Sequence, residues 1–361
     1  MSSTINNPTV LWIKIKNYFT ILLFMIDFDL EKIPREKICT LPTPIQYMSR
    51  LSDNLHDVNV YVKRDDLTGI ALGGNKNRKV EYLLGDAMKK GADTIITEGT
   101  LTSNHCLQAA AGAAKIGLNC EIILSDTPID VAIPMNLLFT KLLGIKVHRV
   151  KTSAERKTKM HEIASSLDKK GNVPYIIPSG GSDKIGVFGY INFFKEIALQ
   201  SEEMGITFDY FIHGTGSAGT QAGSIVGKKL FYPNLEVIGI NAGYKREKIV
   251  MKIKSIIQEF ALDNSLNLTV KESEIIVLDD FIGEGYEIIS DEILETVRLI
   301  ANMEGIFLDP VYNVKAMIGL IGLAKKNYFT KDSNILFLHS GGNQAFYHFV
   351  ESVLEKIDNN L

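Results

Sequence analysis

The feature that most restricts the fold is an alternation of short strand-like runs with helix-like stretches, which begins near residue 59. The strand-like runs are rich in β-branched and aromatic residues and are too short for helices. They are Val60–Lys63, Thr94–Thr97, Glu121–Leu124, Lys146–Val150, Tyr175–Ile177, Tyr210–His213, Val237–Asn241 and Ile335–His339. The helix-like stretches include Lys79–Lys90, Asn104–Ile116, Asn136–Leu143, Gly219–Leu230 and Asp291–Glu304, and glycines at 91, 117, 144 and 305 are placed as C-caps. This alternation predicts an α/β fold with parallel sheets covered on both faces.

Composition excludes several functional classes. The 361 residues are 45% hydrophobic and 22% charged, which is typical of a globular chain with two domains. The net charge of −3 gives no electrostatic support to a nucleic-acid or membrane partner. Cys39, Cys106 and Cys120 form no C-x-x-C pair, which predicts a reducing, cytoplasmic location and no metal site.

An apolar run near the N-terminus, Tyr18–Ile26, is too short to span a membrane and has no small-residue cleavage site after it. We therefore expect a soluble protein in which residues 1–27 are an N-terminal extension, with Met25 as an alternative initiator.

The segment Gly214–Gly223 reads GTGSAGTQAG, follows a predicted strand and opens a predicted helix. Backbone N–H groups in such a loop, together with the positive end of the helix dipole, form a cradle for a phosphate group. We expect its donors to come from residues 215–220, namely Thr215, Gly216, Ser217, Ala218, Gly219 and Thr220. A tight turn without a ligand is the alternative.

Two nucleotide-binding interpretations are less favoured. The loop matches G-x-G-x-x-G, but the next strand ends in Gly239-Ile240-Asn241 and lacks the acidic residue that holds a ribose. Gly69–Lys76 approaches a triphosphate-binding loop, but Asn77 stands where a magnesium-binding Ser or Thr is needed. A compact phosphate ester is therefore the favoured ligand.

Lys76 stands at the start of a predicted helix within GGNKNRK. A cation is unfavourable at a helix N-terminus, which favours the neutral amine that a Schiff base requires. An amine for an aldehyde and a separate cradle for a phosphate ester together predict pyridoxal 5′-phosphate as cofactor. Lys79, one turn further on, is either a second phosphate ligand or a surface lysine.

The segment Thr102–His105 follows a strand and begins a helix. Ser103 is there either a plain N-cap or part of a site for the substrate carboxylate.

Seven motifs occur in order: KRDD (63–66), GGNKNRK (73–79), TSNH (102–105), GGS (180–182), GTGSAGT (214–220), DPVY (309–312) and HSGG (339–342). With them the chain resembles the D-cysteine desulfhydrase / 1-aminocyclopropane-1-carboxylate deaminase family, from about residue 28 to 347. The resemblance implies a tryptophan-synthase-β-like (fold type II) pyridoxal-phosphate enzyme. It also implies a homodimer and a cofactor in the cleft between a large domain (28–79 and 187–361) and a small domain (80–186).

The resemblance also implies roles for single residues. Lys76 is then the Schiff-base lysine, and residues 214–220 bind the phosphate. Asn104 contacts the pyridoxal hydroxyl, while Ser103 and His105 flank the substrate carboxylate, with Ser103 near the transferred proton. Tyr286 and Tyr312 line the reacting side, and Ser340 is the partner of the pyridine nitrogen.

Within the family, side-chain chemistry favours the desulfhydrase branch. The deaminases are similar but carry Glu and Gln where this chain has Asn313 and His105. Elimination of a thiolate needs a weaker electron sink than ring opening, so the expected reaction converts D-cysteine to pyruvate, hydrogen sulfide and ammonia. Lysine or a tyrosine would remove the α-proton. L-Cysteate sulfo-lyase, the cyclopropane deaminase, a non-catalytic cofactor-binding protein and a dinucleotide oxidoreductase stay as alternatives.

Three positions depart from the family pattern: Leu107, Asp183 and Glu287 replace Arg, Asn and Gly. If the carboxylates of Asp183 and Glu287 face the active site, they add negative charge to it, and the substrate differs from cysteine. If they face water, the expected substrate stays the same.

Overall fold

The computed structural model describes residues 29–126, 134–350 and 354. The predicted N-terminal extension and the apolar run Tyr18–Ile26 lie outside the described residues. Backbone contacts divide the chain into two units, Met1–Pro34 and Arg35–Leu361. Among the described residues of the first unit, the 3₁₀ turn Leu30–Lys32 is capped by Asp29, whose side chain accepts a hydrogen bond from the Glu31 N–H.

The second unit contains two sheets. The strands are β1 (Ile45–Tyr47), β2 (Val58–Arg64), β3 (Thr94–Thr100), β4 (Asn119–Ser125), β5 (Lys146–Val150), β6 (Pro174–Ile177), β7 (Tyr210–Thr215), β8 (Glu236–Asn241), β9 (Ile276–Leu278) and β10 (Ser333–His339). The larger sheet has the order β1-β2-β10-β7-β8-β9, and the smaller one has the order β5-β4-β3-β6. Every strand pair is parallel except β1 with β2.

Helices connect the parallel strands, as crossover connections require. They are α1 (Ser49–Leu55), α2 (Asn75–Lys89), α3 (Asn104–Lys115), α4 (Met135–Leu142), α5 (Ser153–Asp168), α6 (Phe188–Met204), α7 (Gly219–Phe231), α8 (Arg246–Asp263), α9 (Asp291–Glu304) and α10 (Asn313–Lys325). Short 3₁₀ turns lie at Asp65–Leu67, Ile70–Leu72, Ser179–Gly181, Glu272–Glu274 and Asn343–His348.

Each sheet packs its own apolar core. Val60 and Val62 of β2, with Phe337 of β10, belong to a cluster under the larger sheet. Ile95 of β3 and Ile122 of β4 belong to a cluster with α2 and α3 under the smaller sheet. Strands covered on both faces are buried along nearly their whole length, which explains their almost continuous apolar sequences.

The predicted α/β fold with parallel sheets is confirmed. Each of the eight predicted strands lies within a strand of the structure, whereas β1 and β9 were not predicted. The glycines at 91, 117, 144 and 305 all have positive φ, as expected of residues that end helices. Helix α2 begins at Asn75, four residues before the helix-like stretch Lys79–Lys90, and Lys76 lies in its first turn, as predicted from its place at a helix start.

The strands of the smaller sheet all fall between residues 80 and 186, and those of the larger sheet fall outside that range. The domain boundaries themselves stay a prediction. Among the described residues, every helix is too short or too polar to cross a bilayer.

Candidate active site

A cavity opens where strands of both sheets end. Its wall includes residues that follow the carboxyl ends of β3, β7, β8 and β10, which is where α/β proteins place their ligands. The residues that line it include Lys76, Thr102, Ser103, Asn104, His105, Arg156, Thr215, Gly216, Ser217, Ala218, Thr220, Tyr244, Tyr286, Glu287, Asp309, Tyr312, Ser340 and His348.

Lys76 presents its amine to this cavity. Its Nζ donates a hydrogen bond to Asn75 Oδ1 (2.8 Å) and lies 5.9 Å from the ring centroid of Tyr312. Asn75 in turn donates from Nδ2 to Thr220 Oγ1 (3.0 Å), which connects the amine to the glycine-rich loop. Burial lowers the pKa of Lys76 to about 8, against the opposing effect of Asp309. A substantial fraction of this amine is therefore neutral near pH 8.

The loop between β7 and α7 lines the cavity and packs closely against two tyrosine rings. A Cβ atom on Gly216 would lie 2.9 Å from the Tyr244 ring and 3.2 Å from the Tyr312 ring, so only glycine fits there. Ala218 has φ +75°, an unusual conformation for a residue with a side chain, and it is the N-cap of α7. The hydroxyls of this loop and the start of α7 form a donor set suited to a phosphate group.

The start of α3 forms the opposite wall. Ser103 is the N-cap, and its Oγ accepts a hydrogen bond from the Cys106 N–H (3.2 Å). Asn104 Oδ1 accepts from both Asn136 Nδ2 (2.9 Å) and Gln344 Nε2 (2.8 Å), which fixes the amide and leaves its Nδ2 as a donor.

His105 is neutral in this setting. The Thr97 hydroxyl donates its proton to Ile177 O (2.9 Å), so it must accept from His105 Nε2, which lies 2.9 Å away. Burial lowers the pKa of His105 well below its usual value, and nearby lysines lower it further. The imidazole therefore carries its proton on Nε2. A substrate carboxylate would be bound by the N–H groups at the helix start rather than by an imidazolium.

Two tyrosines of the cavity lining contact each other. The hydroxyls of Tyr286 and Tyr312 are 2.8 Å apart. Burial raises the pKa of both well above the usual value, and Tyr244 and Glu287 raise it further. Both hydroxyls are therefore protonated at neutral pH and can donate a proton, but they are poor bases.

Ser340 Oγ donates a hydrogen bond to Asn313 Oδ1 (2.9 Å), so the side chain at position 313 lies directly against the predicted partner of the pyridine nitrogen. Asp309 accepts from the backbone N–H groups of Val311, Tyr312 and Asn313 and thereby fixes the start of α10. The group that accepts from Ser340 Oγ is thus a neutral amide.

The geometry fits pyridoxal phosphate. The cavity lining combines an amine with a lowered pKa, a glycine-rich loop with hydroxyl donors, and the polar side chains of Asn104 and Ser340. These are the contacts that an aldehyde, a phosphate ester and a hydroxylated pyridine ring need.

Most of the predicted site residues come together in this cavity, with two exceptions. Lys79 is fully buried outside the lining, and its Nζ donates to Gly180 O. The Gly219 N–H donates to Ser182 Oγ (3.2 Å), and Gly219 does not line the cavity either.

The three departures from the family pattern have different surroundings. Leu107 is buried in α3. Asp183 Oδ1 accepts from the N–H groups of Ile185 (3.0 Å) and Gly186 (2.7 Å), and Asp183 does not line the cavity. Glu287 lines the cavity, and its side chain is buried.

Tyr244, Arg156 and His348 line the cavity but were not predicted. Tyr244 comes three residues after β8, and its ring centroid lies 5.0 Å from that of Tyr286. Its position after a parallel strand was a usable signal. Arg156 and His348 lie on segments with no recognisable motif, so only the folded chain brings them to the cavity.

Comparison with known proteins agrees with this geometry. A family model described as pyridoxal-phosphate dependent enzyme matches residues 38–341. A D-cysteine desulfhydrase of Salmonella typhi is 39% identical over 325 residues, which cover 89% of this chain and 97% of that protein. A solved structure of an ACC deaminase homologue has a TM-score of 0.82 and 37% identity, covering 90% of this chain and 97% of the other. Threonine deaminase isoform 2 of Solanum lycopersicum shares the fold, with a TM-score of 0.64 and 18% identity.

Proposed function

Since the chain belongs to the family of pyridoxal-phosphate-dependent enzymes, we propose that it eliminates the β-substituent of a cysteine-type amino acid, as a D-cysteine desulfhydrase does. The cofactor prediction is confirmed by this membership. The proposed reaction consumes D-cysteine and water and yields pyruvate, hydrogen sulfide and ammonia. The observation that carries the proposal is one cavity that combines the Lys76 amine, the glycine-rich cradle and two protonated tyrosines.

The bound cofactor would supply an aldehyde for the substrate amine and an electron-withdrawing ring that weakens the Cα–H bond. Lys76 would hold the cofactor and then accept the α-proton, because its pKa of about 8 suits a base better than the raised pKa values of the tyrosines. Tyr286 or Tyr312 would protonate the departing sulfur. The N–H groups at the start of α3 would orient the substrate carboxylate.

The contact between Asn313 and Ser340 supports elimination over ring opening. A glutamate at position 313, as in the cyclopropane deaminases that the motifs resemble, would place a carboxylate beside Ser340. Such a carboxylate would keep the pyridine nitrogen protonated and deepen the electron sink. The neutral amide of Asn313 does not keep the pyridine nitrogen protonated. Loss of a thiolate depends less on a protonated ring than ring opening does.

We also propose that Thr215, Ser217 and Thr220 bind the phosphate and that Asn104 and Ser340 contact the ring. The domain division into 28–79 with 187–361 and 80–186, the homodimer and the cytoplasmic location are further proposals based on the sequence.

A substrate panel tests the proposal. Purified protein with the cofactor is mixed with D-cysteine, L-cysteine, L-cysteate or 1-aminocyclopropane-1-carboxylate, and sulfide, keto acid and ammonia are measured. We expect equal amounts of sulfide and pyruvate from D-cysteine, and neither product from Lys76→Ala. Sulfite from cysteate or 2-oxobutyrate from the cyclopropane amino acid as the main product would favour the alternatives. A protein that holds the cofactor but releases no keto acid would be a binding protein without turnover.

A further inference from the structure

Glu287 is a buried carboxylate in the wall of the cavity. Its side chain is only 3% exposed, and Thr102 Oγ1 donates a hydrogen bond to its Oε1 (2.6 Å). Its other oxygen, Oε2, is buried and has no hydrogen-bond partner among the described residues. The backbone at Glu287 has φ +62°, a conformation that glutamate rarely adopts. Both the backbone conformation of Glu287 and its unpaired oxygen are therefore expected to lower the stability of the folded state.

Buried polar atoms are nearly always paired, because an unpaired one forfeits its hydration without compensation. Burial raises the pKa of Glu287, which the hydrogen bond from Thr102 opposes. A change in protonation eases the cost but supplies no partner for Oε2. A donor on a bound ligand would supply one.

The surroundings of Glu287 indicate which part of a ligand it meets. Glu287 follows Tyr286 in the chain and lines the same cavity as Tyr244 and Tyr312. In agreement with this position, its charge raises the pKa of all three tyrosines. Glu287 also contacts Thr102, next to the start of α3. The N–H groups of α3 are assigned to the α-carboxylate, so the substrate group that we assign to Glu287 is the side chain.

The cations of the cavity are engaged elsewhere. Arg156 Nε lies 2.5 Å from Glu98 Oε2, and its guanidinium also donates to Ser125 Oγ (2.9 Å). The amine of Lys76 donates to Asn75. Neither forms an ion pair with Glu287 among the described residues.

We propose that Glu287 is a specificity-determining residue: it favours amino acids whose β-substituent is a cation or a hydrogen-bond donor and disfavours those with an anionic β-substituent. This inference rests on the proposed elimination and names its substrate class. A β-ammonium group would pair with Oε2, a neutral thiol would donate weakly, and a sulfonate would be repelled. Elimination from 2,3-diaminopropionate breaks the Cα–H and Cβ–N bonds, and with one water it gives pyruvate and two molecules of ammonia.

The experiment compares kcat/KM for 2,3-diaminopropionate, cysteine and cysteate, each as both enantiomers. Wild type is expected to prefer the diamino acid to cysteate. Glu287→Gln, which keeps an oxygen for Thr102, should reduce that preference by at least about tenfold. Glu284→Gln is the matched control, because it removes an exposed carboxylate from the same loop and should leave the ratio unchanged.

Binding without turnover gives a second measurement. 2,4-Diaminobutyrate and 2-aminobutyrate differ by one amino group and carry no β-leaving group, so their dissociation constants are obtained from the absorbance of the bound cofactor. Glu287→Gln should weaken binding of the diamino acid by about tenfold and leave that of 2-aminobutyrate unchanged.

The outcomes separate the two proposals. If no amino acid yields a keto acid, the elimination is wrong, and the two dissociation constants still test Glu287. The role of Glu287 is overturned if wild type prefers cysteate to 2,3-diaminopropionate. It is also overturned if Glu287→Gln is active but changes neither the ratio of kcat/KM values for these two substrates nor the ratio of the dissociation constants for 2,4-diaminobutyrate and 2-aminobutyrate. If the Glu287→Gln variant does not fold, the same measurements are made on Glu287→Gly, because glycine readily adopts a positive φ.

Discussion

At the scale of single residues, Lys76 shows how burial creates a reactive group from an ordinary side chain. An exposed lysine is almost fully protonated at neutral pH, so very little of it is in the neutral form that attacks an aldehyde. Lys76 lies in the first turn of α2, where burial lowers its pKa to about 8 although Asp309 opposes the change. Desolvation thus outweighs the nearby carboxylate.

This pKa predicts how fast the cofactor attaches to cofactor-free protein. Only the neutral amine reacts, so the rate should rise with pH and level off above about 8. The measurement is stopped-flow absorbance after mixing with pyridoxal phosphate between pH 6 and 10. N-acetyl-lysine methyl ester is the control, and its rate should keep rising to about pH 10. A protein profile that follows the control would show that burial does not activate Lys76.

Residues that act through a local pattern were predictable, and residues that act through tertiary contact were not. Lys76 and the glycine-rich loop stand in runs whose composition already indicates their chemistry. Arg156 lies within α5 and is separated from every motif, so its place in the cavity depends on how the smaller sheet packs. Glu287 could be recognised as a departure from the family pattern, but its burial and its unpaired oxygen could not be predicted.

At the scale of elements, a buried ion network fixes α2, the helix that carries Lys76. Arg78 donates two hydrogen bonds to Asp65, at 2.8 Å each, and two to Glu196 of α6, at 2.9 Å each. Lys63 of β2 donates to Glu196 Oε1 (2.6 Å). Burial alone would raise the pKa of Glu196, but the two cations lower it to about 2. The network thus ties a strand and two helices together with balanced charge.

Removing the central cation should therefore destabilise the fold. We expect Arg78→Met to lower the free energy of unfolding by about 3–5 kcal/mol, because Asp65 would lose its bidentate partner while buried. Lys90→Met is the control: Lys90 forms an exposed pair with Asp86, and its loss should cost less than about 1 kcal/mol. Urea unfolding of both variants checks this. Equal losses would show that the network contributes no more than a surface pair.

The elements themselves were largely readable from the sequence. The parallel strands are buried on both faces, so they appear in the sequence as short apolar runs. Glycines at the ends of the helices marked the boundaries between these runs and the helices. The two strands that were missed, β1 and β9, have three residues each and lie at the edges of the larger sheet. So short a run carries no periodicity. The order of strands depends on pairing between distant segments, which local patterns do not encode.

At the scale of the whole molecule, the cavity draws on both sheets. Asn104 follows β3 of the smaller sheet, whereas Thr215, Ser217 and Thr220 lie at the junction of β7 and α7 in the larger one. A ligand that contacts both groups links the two sheets energetically. Binding of such a ligand then stabilises the fold of the whole Arg35–Leu361 unit and not only that of one loop.

Cofactor binding should therefore protect both sheets at once. At a concentration 100 times Kd, a ligand of the native state adds about 2.7 kcal/mol to stability. We expect pyridoxal phosphate to slow amide hydrogen exchange in β3 and in β7 alike. Inorganic phosphate is the control, because it can occupy only the cradle and should protect β7 and α7 without β3. Pyridoxal has the aldehyde but no ester and should stabilise less at equal concentration. If pyridoxal phosphate protects β7 alone, the smaller sheet has no part in holding the cofactor, and the roles proposed for Asn104 and the start of α3 are wrong.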